Sequence, residues 1–212
     1  MTYPDFMNAA EQICFYGKNL WLRQMVAAND GNLSCRLLGG GVAVTPTGCS
    51  KGMLEKNEII RVDESGKHQA GQGRPSIETG LHLAVYKACP QAGAVIHAHS
   101  VAATAFASVG EAPSERFLPE AVVNLGQIAL VPYFKPGSEA LAQAVGAAAV
   151  GHRALLLANH GAVCYGRDLK EAYFRIEALE HYLQILLLTR GLGGAKELAD
   201  KQLADLEDFN QR

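Results

Sequence analysis

Three histidines stand where two apolar runs of the sequence end. His97 and His99 close A-V-I-H-A-H-S at 94–100, and His160 follows A-L-L-L-A-N at 154–159. Side chains two residues apart in a strand point to the same face, so His97 and His99 can present both rings to one ion. Three imidazoles leave an open position on Zn²⁺, as in catalytic zinc sites. The pattern predicts a catalytic metal site, and the competing interpretation is histidines that merely close two strands.

The remaining histidines add little to this prediction. His82 lies four residues after Glu78 on the same predicted helix face, so it can support the site from behind, but packing is the simpler interpretation. His68, His152 and His181 occupy polar or helix-surface positions. The segment H-A-H-S-V lacks the aspartate and histidine that continue a metallo-β-lactamase motif, which argues against a hydrolase of that type.

One carboxylate and three short loops carry further groups that can do chemistry. Glu78 stands in the first turn of a predicted helix, where the helix dipole favours its charged form; simple helix-start stabilisation is the alternative. Backbone amides and hydroxyls are offered by Gly31-Asn32, by Thr47-Gly48 and by Ser76. Such groups bind phosphate without net basic charge, although similar turns are common in loops that bind nothing.

Helices and short strands must position these residues. Apolar spacing predicts a helix over residues 5–28, a hairpin with strands at 33–37 and 42–45, and a strand at 59–62. The other predicted elements are helices at 75–89, 101–109, 138–149 and 169–190 and strands at 94–96, 127–131 and 154–158. This order predicts an α/β/α sandwich in a single domain over residues 1–212, ending in a mobile tail over about 193–212.

Composition favours a globular protein that acts on small molecules. Of the 212 residues, 49% are hydrophobic and 19% charged, and the formal net charge of −2 offers no basic surface for nucleic acid or anionic membrane. Neither a signal peptide nor an apolar run of about 18 residues is present. The five scattered cysteines form no C-x-x-C pair, so we expect reduced thiols and a cytoplasmic location.

Six segments follow one another between about residues 8 and 192: G-N-L-S at 31–34, T-P-T-G at 45–48, P-S-I-E at 75–78, A-V-I-H-A-H at 94–99, V-P-Y-F-K-P-G at 131–137 and L-L-L-A-N-H-G-A at 155–162. Together they resemble the class II aldolase/adducin family, above all its L-fuculose-1-phosphate aldolase-like branch. The resemblance implies a central, mainly antiparallel sheet flanked by helices. It also implies a homotetramer with active sites between subunits.

The same resemblance implies a role for each candidate residue. Zn²⁺, or another divalent ion such as Mn²⁺, Co²⁺ or Fe²⁺, is implied to bind His97, His99 and His160. Glu78 is implied to be a metal ligand in the resting state and the acid or base once substrate displaces it. The residues implied to bind the substrate phosphate are Gly31, Asn32, Thr47, Gly48 and Ser76.

Three departures from the family bear on the substrate. Ile77 stands where the family often has a second serine, which removes one hydroxyl from the phosphate loop. The segment before the V-P-Y strand holds no tyrosine to handle the proton at the departing aldehyde. Glu120 is the titratable residue in the middle of that segment, and we expect it to take this role. The stretch after Tyr182 also lacks the tyrosine of the family's mobile tail.

The predicted reaction is the reversible cleavage of a ketose 1-phosphate to dihydroxyacetone phosphate and an aldehyde, with zinc stabilising an enediolate. L-fuculose 1-phosphate, a 5-deoxypentulose 1-phosphate and 5-methylthioribulose 1-phosphate all remain compatible. One alternative is a dehydratase or decarboxylase, of the methylthioribulose-1-phosphate dehydratase or 3-oxo-tetronate 4-phosphate decarboxylase type, because V-P-Y-F-K-P-G resembles the decarboxylases. A further alternative is a non-catalytic adducin-like assembly module, which has no reason to keep three histidines and Glu78.

Overall fold

The computed structural model describes residues 2–209 of the chain. Its α-helices are α1 (Phe6–Leu22), α2 (Thr79–Ala88), α3 (Val101–Ser108), α4 (Pro119–Leu125), α5 (Glu139–Ala149), α6 (Leu169–Gly191) and α7 (Asp200–Phe209), and a short 3-10 helix covers Lys56–Glu58. Its strands are β1 (Asn32–Arg36), β2 (Val42–Val44), β3 (Ile60–Val62), β4 (His68–Ala70), β5 (Ala94–Ala98), β6 (Ile128–Val131), β7 (Ala154–Leu157) and β8 (Gly161–Gly166). None of the described helices combines the length and hydropathy that a membrane span requires.

All these strands form one sheet in the order β4-β3-β2-β1-β5-β8-β7-β6. The neighbouring pairs are antiparallel except β6 and β7, which run parallel. Alternate residues of β5 point to opposite faces, so Ile96 packs in the core beneath α1, α3 and α6, whereas Val95 packs in the core beneath α2 and α5. The predicted single-domain α/β/α sandwich with a mainly antiparallel sheet is confirmed.

The first helix is shorter than the sequence predicts. Asp5 caps its start by accepting a hydrogen bond from the Asn8 backbone N–H at 2.9 Å. The helix ends at Leu22 rather than at residue 28, because Gln24 and Ala28 adopt positive φ angles of 57° and 44°. The loop that replaces the last predicted turns leads the chain into β1 and so places Asn32 at the edge of the site.

Strands β8 and β4 and helix α4 have no counterpart among the predicted elements. Strand β8 is central, pairing with both β5 and β7, yet it is only six residues long and is bracketed by glycines. Strand β4 pairs with β3 at the sheet edge, and α4 starts with Pro119 in its first turn. Because β8 returns directly beside β5, the turn that precedes it lies next to His97.

The C-terminal segment contacts the rest of the fold. The Leu198 N–H donates to the Arg116 carbonyl at 2.8 Å, and Leu203 of α7 is buried. Residues 210–212 of the tail that the sequence predicts to be mobile lie outside the described residues.

Candidate metal centre

The end of β5 and the β7–β8 turn bring the three histidines together. His97 is the second-last residue of β5, His99 follows its end, and His160 lies in the turn. Their ring centroids are 4.7, 4.7 and 4.9 Å apart, and one ring nitrogen from each lies within 4.8 Å of the others. The three predicted ligands therefore form one cluster that could hold a metal ion.

The turn that carries His160 depends on two special backbone positions. Asn159 has a positive φ of 57° and its N–H donates to the Ala107 carbonyl at 3.2 Å. A Cβ atom on Gly161 would lie 2.6 Å from the Ala98 carbonyl oxygen and 2.9 Å from the His99 ring. Only glycine therefore allows β8 to approach the end of β5 closely enough to complete the cluster.

The outer nitrogens of two rings are already committed. His97 Nδ1 donates to the Ala162 carbonyl at 2.9 Å, and His99 Nδ1 lies 3.5 Å from Asp30 Oδ2. With protons on these nitrogens, both Nε2 atoms carry lone pairs, and they face each other at 2.9 Å. Two facing lone pairs repel unless a proton or a cation lies between them, and histidine ligands commonly donate their other N–H in this way.

Burial keeps these rings neutral. Burial, reinforced by the neighbouring His99 and His160, holds the pKa of His97 well below its usual value. Burial also lowers the pKa of His99, and His160 adds to the effect. Because metal ligation requires neutral imidazole, these two rings can bind a divalent ion near neutral pH without first losing protons.

Glu78 lies between two of the rings. It is the N-cap residue of α2 and is 7% exposed. Its Oε2 is 3.3 Å from His97 Nε2, and its Oε1 is 3.4 Å from His160 Nε2. Among the described residues, Glu78 Oε1 and His160 Nδ1 are buried without a hydrogen-bond partner. Since unpartnered buried polar atoms are costly, this donor set fits a divalent cation bound by the histidines and the carboxylate.

The predicted phosphate loops lie side by side. The Ser76 N–H donates to the Thr45 carbonyl at 3.1 Å, and the Thr47 N–H donates to the Arg74 carbonyl at 3.0 Å. Gly48 has a φ of 76° and open space where a side chain would be. These contacts join T-P-T-G to P-S-I-E and leave the glycine accessible to a ligand.

The loop that carries Gly31 and Asn32 adjoins the same site. Gly31 has a φ of 72°, and a Cβ atom there would lie 2.7 Å from the His97 carbonyl oxygen. Asn32 pairs with His97 across β1 and β5, and its Nδ2 donates to Glu78 Oε2 at 2.9 Å. Asn32 therefore contacts the carboxylate directly, while its predicted contact with a phosphate stays a prediction.

Sequence reasoning missed Lys51, which joins two of these loops. Its side chain is almost fully buried, and its Nζ donates to the Asn29 carbonyl at 2.8 Å and to the Cys49 carbonyl at 2.5 Å. No carboxylate among the described residues lies within ion-pair distance of this ammonium group. Burial lowers the pKa of Lys51 to about 8, so the fold carries a cation that is poorly compensated at neutral pH.

This lowered pKa predicts a pH-dependent stability. Because the pKa of Lys51 is about 8 in the fold and about 10.4 in an unfolded chain, the unfolded chain binds more protons between these values. The free energy of unfolding should therefore gain a contribution on the order of 2 kcal/mol as pH rises through that window. Denaturant unfolding at about pH 7.5 and about pH 10 measures it. The gain should disappear in Lys51→Met and persist in the matched variant of exposed Lys18, Lys18→Met; equal pH slopes in all three proteins would contradict it.

Two other predicted positions are not among the residues that could hold the metal ion. Glu120 is exposed in the first turn of α4 and makes no hydrogen bond or ion pair with a residue of the cluster within the described part of the chain. Its role stays a prediction. Ile77 is 67% exposed and lies with Ser138 and Glu139 on a cavity of about 910 Å³ between α2 and α5. The side chain that replaces the family's second serine therefore faces this cavity.

Comparison with known proteins places this geometry in context. Residues 11–187 match the family model described as the Class II Aldolase and Adducin N-terminal domain. The 3-oxo-tetronate 4-phosphate decarboxylase of Haemophilus influenzae is 35% identical over 196 residues, which is 91% of this chain and 92% of the relative. The L-fuculose phosphate aldolase of Methanocaldococcus jannaschii is 33% identical over 171 residues, 81% of this chain and 91% of the relative.

Solved structures give the same result. YgbL from Escherichia coli superimposes with a TM-score of 0.88 at 31% identity, covering 95% of this chain and 98% of its own. An L-fuculose 1-phosphate aldolase also reaches a TM-score of 0.88, at 27% identity and with 97% of each chain covered. The family match spans most of the sequence and two relatives exceed 30% identity over most of its length. The chain therefore belongs to the class II aldolase and adducin family.

Proposed function

We propose that this protein is a metal-dependent lyase that decarboxylates a 3-oxo acid 4-phosphate to dihydroxyacetone phosphate and carbon dioxide. The observation that carries the proposal is the cluster of His97, His99 and His160 with the Glu78 carboxylate between the rings, beside loops able to hold an anion. A divalent cation bound there would supply a Lewis acid that stabilises the negative charge of an enediolate. Imidazole donors with an open position suit Zn²⁺.

Residues of the chain bind the substrate and transfer the proton. Gly31, Thr47, Gly48 and Ser76 hold the phosphate and so fix the carbon chain relative to Glu78. When the bond to the carboxyl carbon breaks, its electron pair stays on the adjacent carbon and forms the enediolate. Glu78, after taking up a proton from water, delivers that proton to the same carbon, which gives the hydroxymethyl ketone of dihydroxyacetone phosphate.

Aldol cleavage of a ketose 1-phosphate is the second candidate, because it passes through the same enediolate. The similarity to L-fuculose phosphate aldolases supports it. The two reactions differ in the group that leaves. An aldehyde leaves only when a base removes a hydroxyl proton, whereas a carboxylate leaves as carbon dioxide without such a base. Glu120 is exposed and the segment around it contains no tyrosine, which favours decarboxylation.

A product assay separates these reactions. The zinc-loaded protein is given 3-oxo-tetronate 4-phosphate or a panel of ketose 1-phosphates, and dihydroxyacetone phosphate, carbon dioxide, aldehyde and dehydrated products are measured in parallel. We expect equal amounts of dihydroxyacetone phosphate and carbon dioxide from the 3-oxo acid. If a ketose 1-phosphate yields aldehyde and the 3-oxo acid yields no carbon dioxide, the reaction is aldol cleavage and not decarboxylation. Dehydrated product alone would contradict both.

We also propose that the enzyme works as a homotetramer. Several apolar side chains of α1 and α6 are exposed in the single chain, among them Trp21, Phe174 and Leu188. Exposed apolar groups of this size are typical of protein–protein interfaces. Light scattering of the purified protein measures its mass, and a monomer at micromolar concentration would contradict this proposal.

A further inference from the structure

A row of buried, hydrogen-bonded side chains runs from Tyr86 to Glu78 behind the metal-ligand cluster. The Tyr86 hydroxyl is 2.8 Å from Ser34 Oγ, which is 2.6 Å from His82 Nδ1. His82 Nε2 is 2.5 Å from Asn32 Oδ1, and Asn32 Nδ2 is 2.9 Å from Glu78 Oε2. Each of these five residues is less than 9% exposed. Through Asn32, the row links the predicted catalytic carboxylate to His82, for which packing was the simpler interpretation. It continues to Ser34 and Tyr86, to which the sequence analysis gave no role.

The Glu78 carboxylate at the end of the row determines which atom is the donor in each of its hydrogen bonds. As a carboxylate, Glu78 only accepts, so Asn32 must turn its NH₂ group toward it and its carbonyl toward His82. The carbonyl then accepts from His82 Nε2–H, which leaves His82 Nδ1 as an acceptor. Ser34 therefore donates to His82, and Tyr86 donates to Ser34. All four donors point toward Glu78, so each bond polarises the next.

The protonation states agree with this direction. Burial lowers the pKa of His82 to about 3, and the nearby His97 adds to the effect, so the ring is neutral. Burial raises the pKa of Tyr86 well above its usual value, so its hydroxyl keeps the proton that it donates. A neutral His82 has one donor and one acceptor nitrogen, which is what the row requires.

The row orients groups and does not conduct protons. An amide has fixed N–H and C=O groups, so Asn32 cannot accept a proton from His82 and pass another to Glu78. An amide has two orientations of nearly equal shape, however, and its neighbours decide which is adopted. With His82 donating to the carbonyl, the amide nitrogen faces Glu78. In the flipped orientation the carbonyl oxygen would face the carboxylate and repel it.

We propose that His82 is a positioning residue which, as its Nε2–H form, locks the Asn32 amide with its N–H groups toward Glu78. This sets Glu78 Oε2 in place and leaves Oε1 free for the metal ion and the proton transfer. The inference rests on the proposed function only in giving Glu78 a catalytic role.

Nitrogen NMR of the full-length protein with ¹⁵N-labelled histidine reports which ring nitrogen of His82 carries the proton. The measurement needs no substrate turnover. The His82 signal is identified as the one that is absent from the His82→Gln variant. We expect this signal to be that of a neutral ring protonated at Nε2, in both the metal-free and the zinc-loaded protein. The Ser34→Ala variant removes the donor to Nδ1 and should allow the ring to populate the Nδ1–H form. A wild-type His82 that is protonated at Nδ1 or charged at neutral pH would overturn the inference.

Zinc affinity and kinetics supply a second, matched test. Outer partners of metal-site residues typically change affinity or activity 10- to 100-fold. We expect His82→Phe to lower zinc affinity or kcat by about that factor and His82→Gln, whose side-chain amide can still donate to Asn32, to recover most of the loss. The control His152→Gln removes a partly buried histidine that hydrogen-bonds the end of α5, and it should leave both zinc affinity and kcat unchanged.

Two results of this comparison would overturn the inference. A folded His82→Phe variant with wild-type zinc affinity and kcat would overturn it, and so would a His82→Gln variant as impaired as His82→Phe. If neither the 3-oxo acid phosphate nor the ketose 1-phosphates react, the proposed function fails, yet the tautomer and the zinc affinities still report on the lock. The two failures are therefore distinguishable.

Discussion

Replacing Glu78 by glutamine is expected to lower turnover by about 10²–10⁴-fold, the usual contribution of a general acid or base. Glutamine keeps the shape of the side chain and can still accept from Asn32 at the position of Oε2. It has no proton to deliver to the enediolate carbon. Metal should stay largely bound, because the three histidines remain. The measurements are kcat, zinc content and the exchange of solvent deuterium into dihydroxyacetone phosphate.

The control for this variant is Glu11→Gln, which changes an exposed glutamate of α1 and should behave as the wild type. Deuterium exchange is informative because it reports proton transfer at one carbon whichever group leaves in the forward reaction. A metal-replete Glu78→Gln protein that exchanges deuterium at the wild-type rate would remove Glu78 from its proposed role.

Replacing His160 by alanine is expected to lower zinc affinity by about 100-fold or more, since even partners behind a metal ligand contribute 10- to 100-fold. His160 lies in the β7–β8 turn and its ring is 4.7 Å from that of His97 and 4.9 Å from that of His99. Its loss leaves two imidazoles and Glu78, and it removes the ring nearest to Glu78 Oε1. Zinc affinity is measured by competition with a chelator of known affinity.

The matched control is His152→Ala, because His152 is also only partly exposed but hydrogen-bonds the end of α5. Circular dichroism checks that both variants keep their fold, which the cores on either side of the sheet support without the His160 ring. Equal zinc affinity in His160→Ala and the wild type would contradict a metal centre built on three histidines.

The sequence predicted the histidine cluster because strand ends are readable from apolar runs. His97 and His160 each follow such a run, and antiparallel pairing across β8 then brings the two ends together. Strand β8 itself was missed, since a run of four residues between glycines, entered through a tight turn, resembles a loop. The predicted first helix was too long because positive φ angles at Gln24 and Ala28 cannot be read from residue type.

The supporting contacts could not be predicted from the sequence. Asn32 meets Glu78 across 46 residues, and Ser34 meets Tyr86 across 52, so these bonds exist only once β1, β5 and α2 have assembled. The spacing of His82 and Glu78 was the one available signal, and packing was its simpler interpretation. Lys51 gave no signal either, because a lysine in a polar loop is ordinarily exposed.

Family membership follows from the sequence more firmly than the reaction does. The sequence analysis placed aldol cleavage first and decarboxylation among the alternatives, and relatives of both kinds are more than 30% identical to the chain. Both reactions need the same cation, the same enediolate and the same proton on one carbon. We therefore expect the leaving group to depend on side chains outside the histidine cluster, with Ile77 and Glu120 as the candidates that the sequence offers.

X-ray absorption at the zinc edge of the zinc-loaded protein tests the metal centre most directly. Three imidazole nitrogens at about 2.0–2.1 Å, together with oxygen at a similar distance, are the expected ligands. The His160→Ala protein should show two imidazoles at most. Sulfur at about 2.3 Å, or fewer than three imidazoles in the wild-type protein, would contradict a centre formed by His97, His99 and His160.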